Sequence, residues 1–407
     1  MNNINSKPTN LAKVAISHDY FVQNGGAESV VESFLEIYPN ADIYTSVYYP
    51  QNFTEATGNP LTQKAYLEGR IKTSKLNNVF INNNGKDRGT LKLFKHLFFL
   101  YPLSMQMITV ENYDILIISS TYCGKNVKIK NVTTTLHYCH SPVRFLHGLI
   151  TETDHSSLSA IQKIGTAILS PILKYQDLQA VKYLKSKNCI WIANSNFIKD
   201  TILKVYNEES YVIYPPVDIN KYIKVVRKPI EEVIALDYYL CHGRISFHKR
   251  LDLAILACLK LGKKLIISGK SALDSDLNSL KALIPDNLSH QIEFRGRTTD
   301  RELEELISGA KAMIFPGKED AGIAPIEMIA AGLPVIAFQA GGALEYVQDS
   351  INGLFFKDQS VDSLIDAIND YELILNNNTF DLQVMQDSVS KFSKQTFKTQ
   401  IKQILDK

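Results

Sequence analysis

The stretch KAMIFPGKEDAGIAPIEMIAAGLPVIAF, Lys311 to Phe338, decides the fold. "KAMIFPG" and "LPVIAF" are continuous apolar runs, as expected of parallel strands covered on both faces. Between them a Gly/Pro loop leads into an Ala- and Ile-rich helix, with Pro325 suited to its first turn and Gly332 to its end. Strand, helix and strand in this order make one unit of a parallel α/β sheet. Glu319 closes the first strand and Glu327 stands one step inside the helix. A helix N-terminus attracts phosphate. Glu327 can accept hydrogen bonds from ribose hydroxyls there, and Glu319 from the hydroxyls of a second sugar. Two glutamates at this spacing arise by chance in a chain of 407 residues; the strand–loop–helix setting gives them weight.

The same alternation extends outward in both directions. "KVAISHDYF", "ADIYTSVYY", "YDILIISST", "VTTTLHYCH" and "NCIWIANS" read as strands in the first half. "YYLCHGR", "KKLIISGK" and "QIEFRGR" continue the series in the second. Amphipathic helices such as "AESVVESFLEIY", "KRLDLAILACLKLG" and "DRELEELISGA" separate them. The pattern pauses at "VIYPPVDINKY", where Pro215-Pro216 can continue neither strand nor helix. Two α/β domains of similar size are therefore expected, 1–214 and 236–385, hinged over 215–235, with a terminal segment 386–407. Their cleft is the default ligand site, since ligands bind beyond the carboxyl ends of parallel strands.

Composition suits a soluble enzyme: 45% hydrophobic, 21% charged and 10% aromatic residues exclude a disordered chain. The five cysteines form no CxxC pair and sit in apolar runs, which favours buried thiols in a reducing compartment over disulfides or zinc. The polar start "MNNINSKPTNLAK" has no apolar signal core. The longest apolar candidate, "LFKHLFFLYPLSMQMI" from Leu93, is broken by Lys95, His96 and a proline, too short to span a bilayer. A cytoplasmic protein is expected. The net charge of +2 is unevenly spread, with 21 Lys+Arg against 16 Asp+Glu in residues 1–214 and 23 against 26 beyond. Residues 64–95 hold Lys64, Arg70, Lys72, Lys75, Lys86, Arg88, Lys92 and Lys95 against only Glu68 and Asp87. Beside an aromatic segment this suits an anionic membrane or substrate; a solvated face over a core helix reads equally well.

Chemistry gathers at strand ends. Gly25-Gly26 turns a strand into a helix, letting backbone approach an anion. "TTLHYCHSPVRF" places His137, His140 and Arg144 after a buried strand. There His140 can exchange a proton or bond a sugar hydroxyl, and Arg144 can hold phosphate. The plainer alternative is that one of the two histidines is a satisfied structural residue. "CHGRISFHKRL" offers Arg244 and Lys249, cations able to neutralise a leaving diphosphate without a metal. In "EFRGRTTD", Gly296-Arg297 can meet a base edge, and Thr299 or Asp300 caps the next helix. No histidine or carboxylate recurs at metal-binding spacing, so no metal is expected.

Glu319 and Glu327 in an E-x7-E pattern, with Arg244 and Lys249 upstream, resemble the GT-B retaining glycosyltransferases of family 4. "HDYFVQNGGAE", "YCHSPVRF", "ANSNFIKDTI" with "VIYPPVD", "GRISFHKRLDLAI", "EFRGR" and "EDAGIAPIEMIAAGLPVIAFQAGGALEYV" are similar to that family's motifs, in its order, over nearly the whole chain. They look closest to the subgroup that extends O-antigen, capsule and exopolysaccharide chains, many of them mannosyltransferases.

The resemblance implies an α/β GT-B fold, two Rossmann-like domains facing across a cleft, with the C-terminal helix packing back on the first. The first domain would bind the acceptor and the second the nucleotide sugar. Arg244 and Lys249 would hold the diphosphate, Glu327 the ribose, and Glu319 the transferred sugar. The amides of Gly322 and Ile323 would touch sugar or phosphate, and Gly296-Arg297 would frame the base. Gly25-Gly26 would face phosphates or acceptor, His140 the anomeric centre, and His137 and Arg144 the acceptor. It implies no cofactor beyond the co-substrate, GDP-mannose or a UDP- or dTDP-hexose, and transfer to a lipid-linked or polysaccharide acceptor at an anionic inner membrane face, with no nucleic acid. Two departures stand out. Ala321 occupies a position where the family carries Phe, and "FLHG" (Phe145 to Gly148) departs from its usual continuation. The alternative these leave open is a catalytically weak subunit that binds nucleotide sugar and partners an active transferase.

Overall fold

Residues 12–94, 96–149, 160–271, 274–376 and 380–406 are described by the computed structural model. The polar start up to residue 11 and Lys95 of the basic cluster lie outside them. The chain divides into two units, Met1–Pro216 with Gln395–Lys407, and Val217–Lys394. The division falls at the Pro215-Pro216 break, and residues 386–394 belong with the second unit.

The first unit is built on seven parallel strands: β1 (Val14–His18), β2 (Asp42–Thr45), β3 (Ile71–Thr73), β4 (Thr109–Ser120), β5 (Lys128–Cys139), β6 (Ile190–Ala193) and β7 (Tyr211–Val212). Their order is β3-β2-β1-β4-β5-β6-β7. Alternate residues of each strand feed opposite faces. Val14, Ile16 and Ile117 enter one core with Phe34 of the Gly26–Ile37 helix, while Ala15, Leu116 and Ile118 enter another with Trp191 and Ile202. Both faces are thus apolar, which is why these strands read as unbroken runs. β4 and β5 bend together at Asn112 and Asn131, both left-handed (φ 63° and 51°), with their amides 3.1 Å apart.

The terminal helix Lys394–Leu405 closes the first unit. Phe397 and Ile401, one turn apart, form its buried stripe. Phe397 packs 5.3 Å from the Phe34 ring and 5.8 Å from that of Tyr138, and Lys398 pairs with Glu36 at 2.6 Å.

The second unit has six parallel strands: β8 (Tyr238–His242), β9 (Lys264–Ser268), β10 (Ile292–Gly296), β11 (Met313–Phe315), β12 (Val335–Phe338) and β13 (Gly353–Phe356). They are ordered β10-β9-β8-β11-β12-β13. In both sheets the order reverses beside the first strand, between β1 and β4 and between β8 and β11. A crevice opens at such a reversal beyond the strands' carboxyl ends. The decisive stretch of the sequence runs away from the second of these points.

Candidate active site

At the second reversal the carboxyl edge is made of glycines. β8, β9 and β10 end at Gly243, Gly269 and Gly296, all with positive φ (129°, 143° and 67°). The Gly243 amide donates to Ser268 O at 3.0 Å and the Gly269 amide to Gly296 O at 2.7 Å, so the three turns stack. Each glycine precedes an exposed cation, Arg244, Lys270 and Arg297, and Gly317 after β11 precedes Lys318. A row of positive side chains therefore follows a row of glycines, of which Gly269 and Gly317 run directly against neighbouring backbone.

The loop after β11 is clamped from three sides. A Cβ on Gly317 would lie 2.8 Å from His248 O and 3.0 Å from the Lys249 Cα, so this glycine fixes the loop against the Arg244–Lys249 segment. Lys249 Nζ then meets Glu319 Oε1 at 2.8 Å and lies 5.4 Å from the centre of the Phe315 ring. From the second side, the Gly342 amide donates to Glu319 O at 2.8 Å, and a Cβ there would stand 2.6 Å from Asp320 O and 2.9 Å from the Ala321 Cα. From the third, Tyr346 lies beneath Gly322, whose added Cβ would run into the tyrosine hydroxyl and approach its Cζ to 2.9 Å. Ala321, half-buried, thus sits in a loop shaped by glycine contacts and the ring of Tyr346.

Gly322 adopts a left-handed φ of 70° and starts the helix Ile323–Ala330 with no side-chain cap. The Ile323 and Ala324 amides at that end have no intrahelical acceptor, which leaves them to an anion. Pro325 stands in the first turn and Gly332 just past the end (φ 74°), while Thr299 with Glu302 forms a capping box on Asp300–Gly309. Glu327 faces Tyr222 and Lys221 of the short helix Ile219–Tyr222. Burial pushes its carboxyl up to about 7, against the pull of Lys221 and the Tyr222 hydroxyl.

The first unit holds the remaining residues singled out from sequence. Gly25 and Gly26 are exposed at the start of Gly26–Ile37; Gly25 is extended, and a Cβ on it would lie 3.1 Å from Glu28 Oε2. His140 follows β5, its Nε2 hydrogen-bonded to Ser119 Oγ at 2.8 Å. Burial and the nearby His18 push it down to about 3, so its ring is neutral. Arg144 lies half-buried four residues on.

His137 requires a correction. It lies inside β5, fully buried with its ring 4.5 Å from that of Trp191, so it is a core residue and contacts no acceptor.

Sequence reasoning missed what stands at the first reversal. Asp19, just after β1, accepts from Ser120 Oγ (2.7 Å) and from the amides of Thr121 (2.8 Å), Tyr122 (3.0 Å) and Gly124 (2.6 Å). Burial opposes its charge, but His18 and these donors hold the carboxyl below its usual range. Likewise burial opposes a charge on His18, which Glu28 and Asp19 nonetheless hold above its usual value. The "HD" that ends "KVAISHD" was the available signal. His242, Tyr222 and Tyr346 in the second unit carry no local signal.

Residues 227–379 match the family described as glycosyl transferases group 1. An uncharacterized glycosyltransferase of Methanocaldococcus jannaschii is 25% identical over 206 residues, 46% of this chain and 52% of that protein. An alpha-1,3/1,6-mannosyltransferase of Kluyveromyces lactis is 24% identical over 59% of this chain and 53% of its own length. The chain thus spans about half the length of these two relatives. Among solved structures, Anabaena HepE in complex with UDP superposes with a TM-score of 0.65 at 17% identity, covering 97% of this chain and 99% of that one. The likeness establishes the fold as GT-B. On that fold, residues 227–379 are similar to the glycosyl transferases of group 1.

Proposed function

We propose that this chain is a retaining, metal-independent glycosyltransferase that moves a hexose, mannose first among candidates, from a nucleotide sugar to a lipid-linked or polysaccharide acceptor of a cell-surface glycan. One observation carries the reading: Lys249 and Glu319 meet at 2.8 Å at the β8–β11 reversal, where Lys249 shares a cavity with Arg244. A group that neutralises diphosphate and a group that reads hydroxyls are thereby joined at one point. A donor diphosphate takes Lys249 and Arg244, and the transferred sugar's hydroxyls take Glu319. The Gly322 and Ile323 amides contact sugar or phosphate, and Gly296-Arg297 frames the base.

In the reaction the bond from the anomeric carbon to the diphosphate oxygen breaks. The acceptor oxygen bonds to that carbon on the same face, and its proton passes to the departing phosphate. Cations placed where the leaving charge develops lower this barrier most. The positive row at the strand ends supplies that charge. The mannosyltransferase relative supports mannose; the UDP and UDP-glucose complexes of HepE make UDP-glucose the next donor to try. The acceptor belongs to the first unit, near His140 and Arg144.

Arg244→Ala and Lys249→Ala are each expected to lower nucleoside diphosphate release from the donor by about 10²–10³-fold, the effect of removing one such electrostatic group. Wild-type turnover in both variants would overturn the mechanism. Thermal-shift titration with GDP-mannose, UDP-glucose and a dTDP-hexose identifies the donor by its stabilisation.

Glu327 makes binding pH-dependent. Its folded value, about 7, lies above the ordinary 4.5. Its share of stability is therefore full below pH 4.5 and lost as pH rises through 7, while ligand binding runs the other way. Only the ionised carboxylate accepts from both ribose hydroxyls, so nucleotide affinity is expected to rise about tenfold from pH 6 to 8. Calorimetric titration across that range checks this, and Glu327→Gln should flatten the slope.

The first unit also presents Leu67, Val79, Leu93, Leu103 and Met107 to solvent, interspersed in sequence with exposed Lys64, Lys75, Lys86 and Arg88. No helix among the described residues is long and apolar enough to cross a membrane. Apolar and basic groups together suit the surface of an anionic bilayer at the cytoplasmic face. Cosedimentation with phosphatidylglycerol vesicles at low salt, and its loss at about 0.5 M salt, is the expected result. Equal binding to neutral vesicles would remove the electrostatic part of this reading.

A further inference from the structure

His242, the last residue of β8, has no role in the site as derived so far. It lines one small cavity together with Gly243, Arg244, Lys249, Ser268 and Phe315. Its Nδ1 is 3.2 Å from Ser268 Oγ, which is 2.9 Å from Thr298 Oγ1. Ser268 is fully buried. The three side chains thus run across the carboxyl ends of β8, β9 and β10. Among the described residues Nε2 has no hydrogen-bond partner.

We propose that His242 is a third group on the donor's diphosphate, a neutral N–H donor beside Arg244 and Lys249, oriented by the Ser268–Thr298 hydroxyl chain. The proposal rests on the function argued above. Either hydroxyl of that chain can donate. With Thr298 donating to Ser268 and Ser268 to Nδ1, the imidazole turns Nε2–H into the cavity. The neutral ring carries a single proton; when Ser268 donates to Nδ1 that nitrogen must be the acceptor, so the proton resides on Nε2, where solvent exchange places it. Burial and the charges of Lys249 and Lys221 push the ring down to about 4, which keeps it neutral at physiological pH. Neutrality is useful in this position. A third cation would repel Arg244 and Lys249 in the empty site, whereas a neutral N–H adds a hydrogen bond to an oxyanion without that repulsion. A hydrogen bond to a charged group is also stronger than one between neutral partners.

The test compares UDP and GDP with uridine and guanosine as probes. His242→Leu is expected to weaken the tighter-bound diphosphate about ten- to hundredfold and to leave the corresponding nucleoside unchanged. His242→Gln, whose amide nitrogen reaches the place of Nε2, should recover most of the loss. Independently of any variant's folding, ¹⁵N-histidine spectra of the wild-type chain should show His242 as the Nε2–H tautomer, with Nε2 shifting on addition of diphosphate and not of nucleoside. Unchanged diphosphate affinity in His242→Leu, an equal loss for nucleoside and diphosphate, or a silent Nε2 would each overturn the proposal. If the wild-type chain bound neither diphosphate, the proposal and the functional reading beneath it would fall together.

Discussion

Lys125→Met is expected to destabilise the first unit by about 3–5 kcal/mol, the cost of leaving one charge of a buried pair without its partner. Lys125 is 1% exposed, pairs with Asp177 Oδ1 at 2.7 Å and donates to Thr121 O at 3.0 Å. Asp177, from the helix Ala160–Ser186, accepts on Oδ2 from the Tyr206 hydroxyl and bonds His147 Nε2, both at 2.8 Å. One carboxylate therefore ties that helix, the helix Asn196–Tyr206 and the segment after His140 to the loop after β4. Burial opposes both charges, yet the lysine holds Asp177 below its usual range and the carboxylate holds Lys125 above its own. The pair's contribution is thus present from above pH 4 to below pH 10, is lost as pH falls through the depressed Asp177 value, and is lost on the alkaline side as pH rises through the raised Lys125 value. In Lys125→Met the stranded carboxylate takes up a proton more readily, so the deficit should shrink on acidification. Urea unfolding of the first unit at pH 7 and pH 5 measures both effects. Adding Asp177→Leu should recover part of the loss, since a buried pair can often be replaced by apolar groups at little cost. Equal stability of wild type and Lys125→Met would show that the network does not hold the unit together.

Gly269→Ala is expected to lower donor affinity at least a hundredfold and to cost the second unit about 3 kcal/mol or more, from backbone strain together with overpacking. At φ 143° only glycine is comfortable. The new methyl would also run into the Gly243 carbonyl, 2.7 Å from its carbon. Neither backbone can yield without breaking the Gly269–Gly296 and Gly243–Ser268 hydrogen bonds, and yielding displaces Arg244. Gly296→Ala is the control. Its φ is 67°, but an added Cβ meets nothing within 4 Å, so only the strain of roughly 1–2 kcal/mol remains. Calorimetric binding of the donor nucleotide and thermal unfolding of both variants check the contrast. A Gly269→Ala protein that binds like Gly296→Ala would show that the stacked turns do not position Arg244.

Much of this fold was legible because a parallel strand covered on both faces must be apolar at every position. Each quoted apolar run corresponds to a strand, from Val14–His18 through Val335–Phe338. β3, β7 and β13 escaped because two to four residues at or near a sheet edge are too short for a pattern to emerge. The candidate site was legible where its residues follow a strand's end: that logic singled out Arg244, Lys249 and Glu319, and Glu327 in the helix beyond, for the roles proposed above. It was illegible where function depends on distant segments. Nothing near Glu319 announces Tyr346, and His242 reads as one more strand residue. His137 shows the converse error. Only two residues separate it from His140, but β5 ends at Cys139, so one ring is sealed in the core while the other lies beyond the strand.

The ion pair of Lys249 and Glu319 gives the proposed enzyme a way to tell a whole donor from its parts. An anion without a sugar draws off the lysine and strands a carboxylate; a sugar without an anion does the reverse. Only the intact nucleotide sugar compensates both sides of the broken pair. Once the hexose has left, the spent nucleotide competes with Glu319 for Lys249, so the same contact that guards the empty site favours product departure.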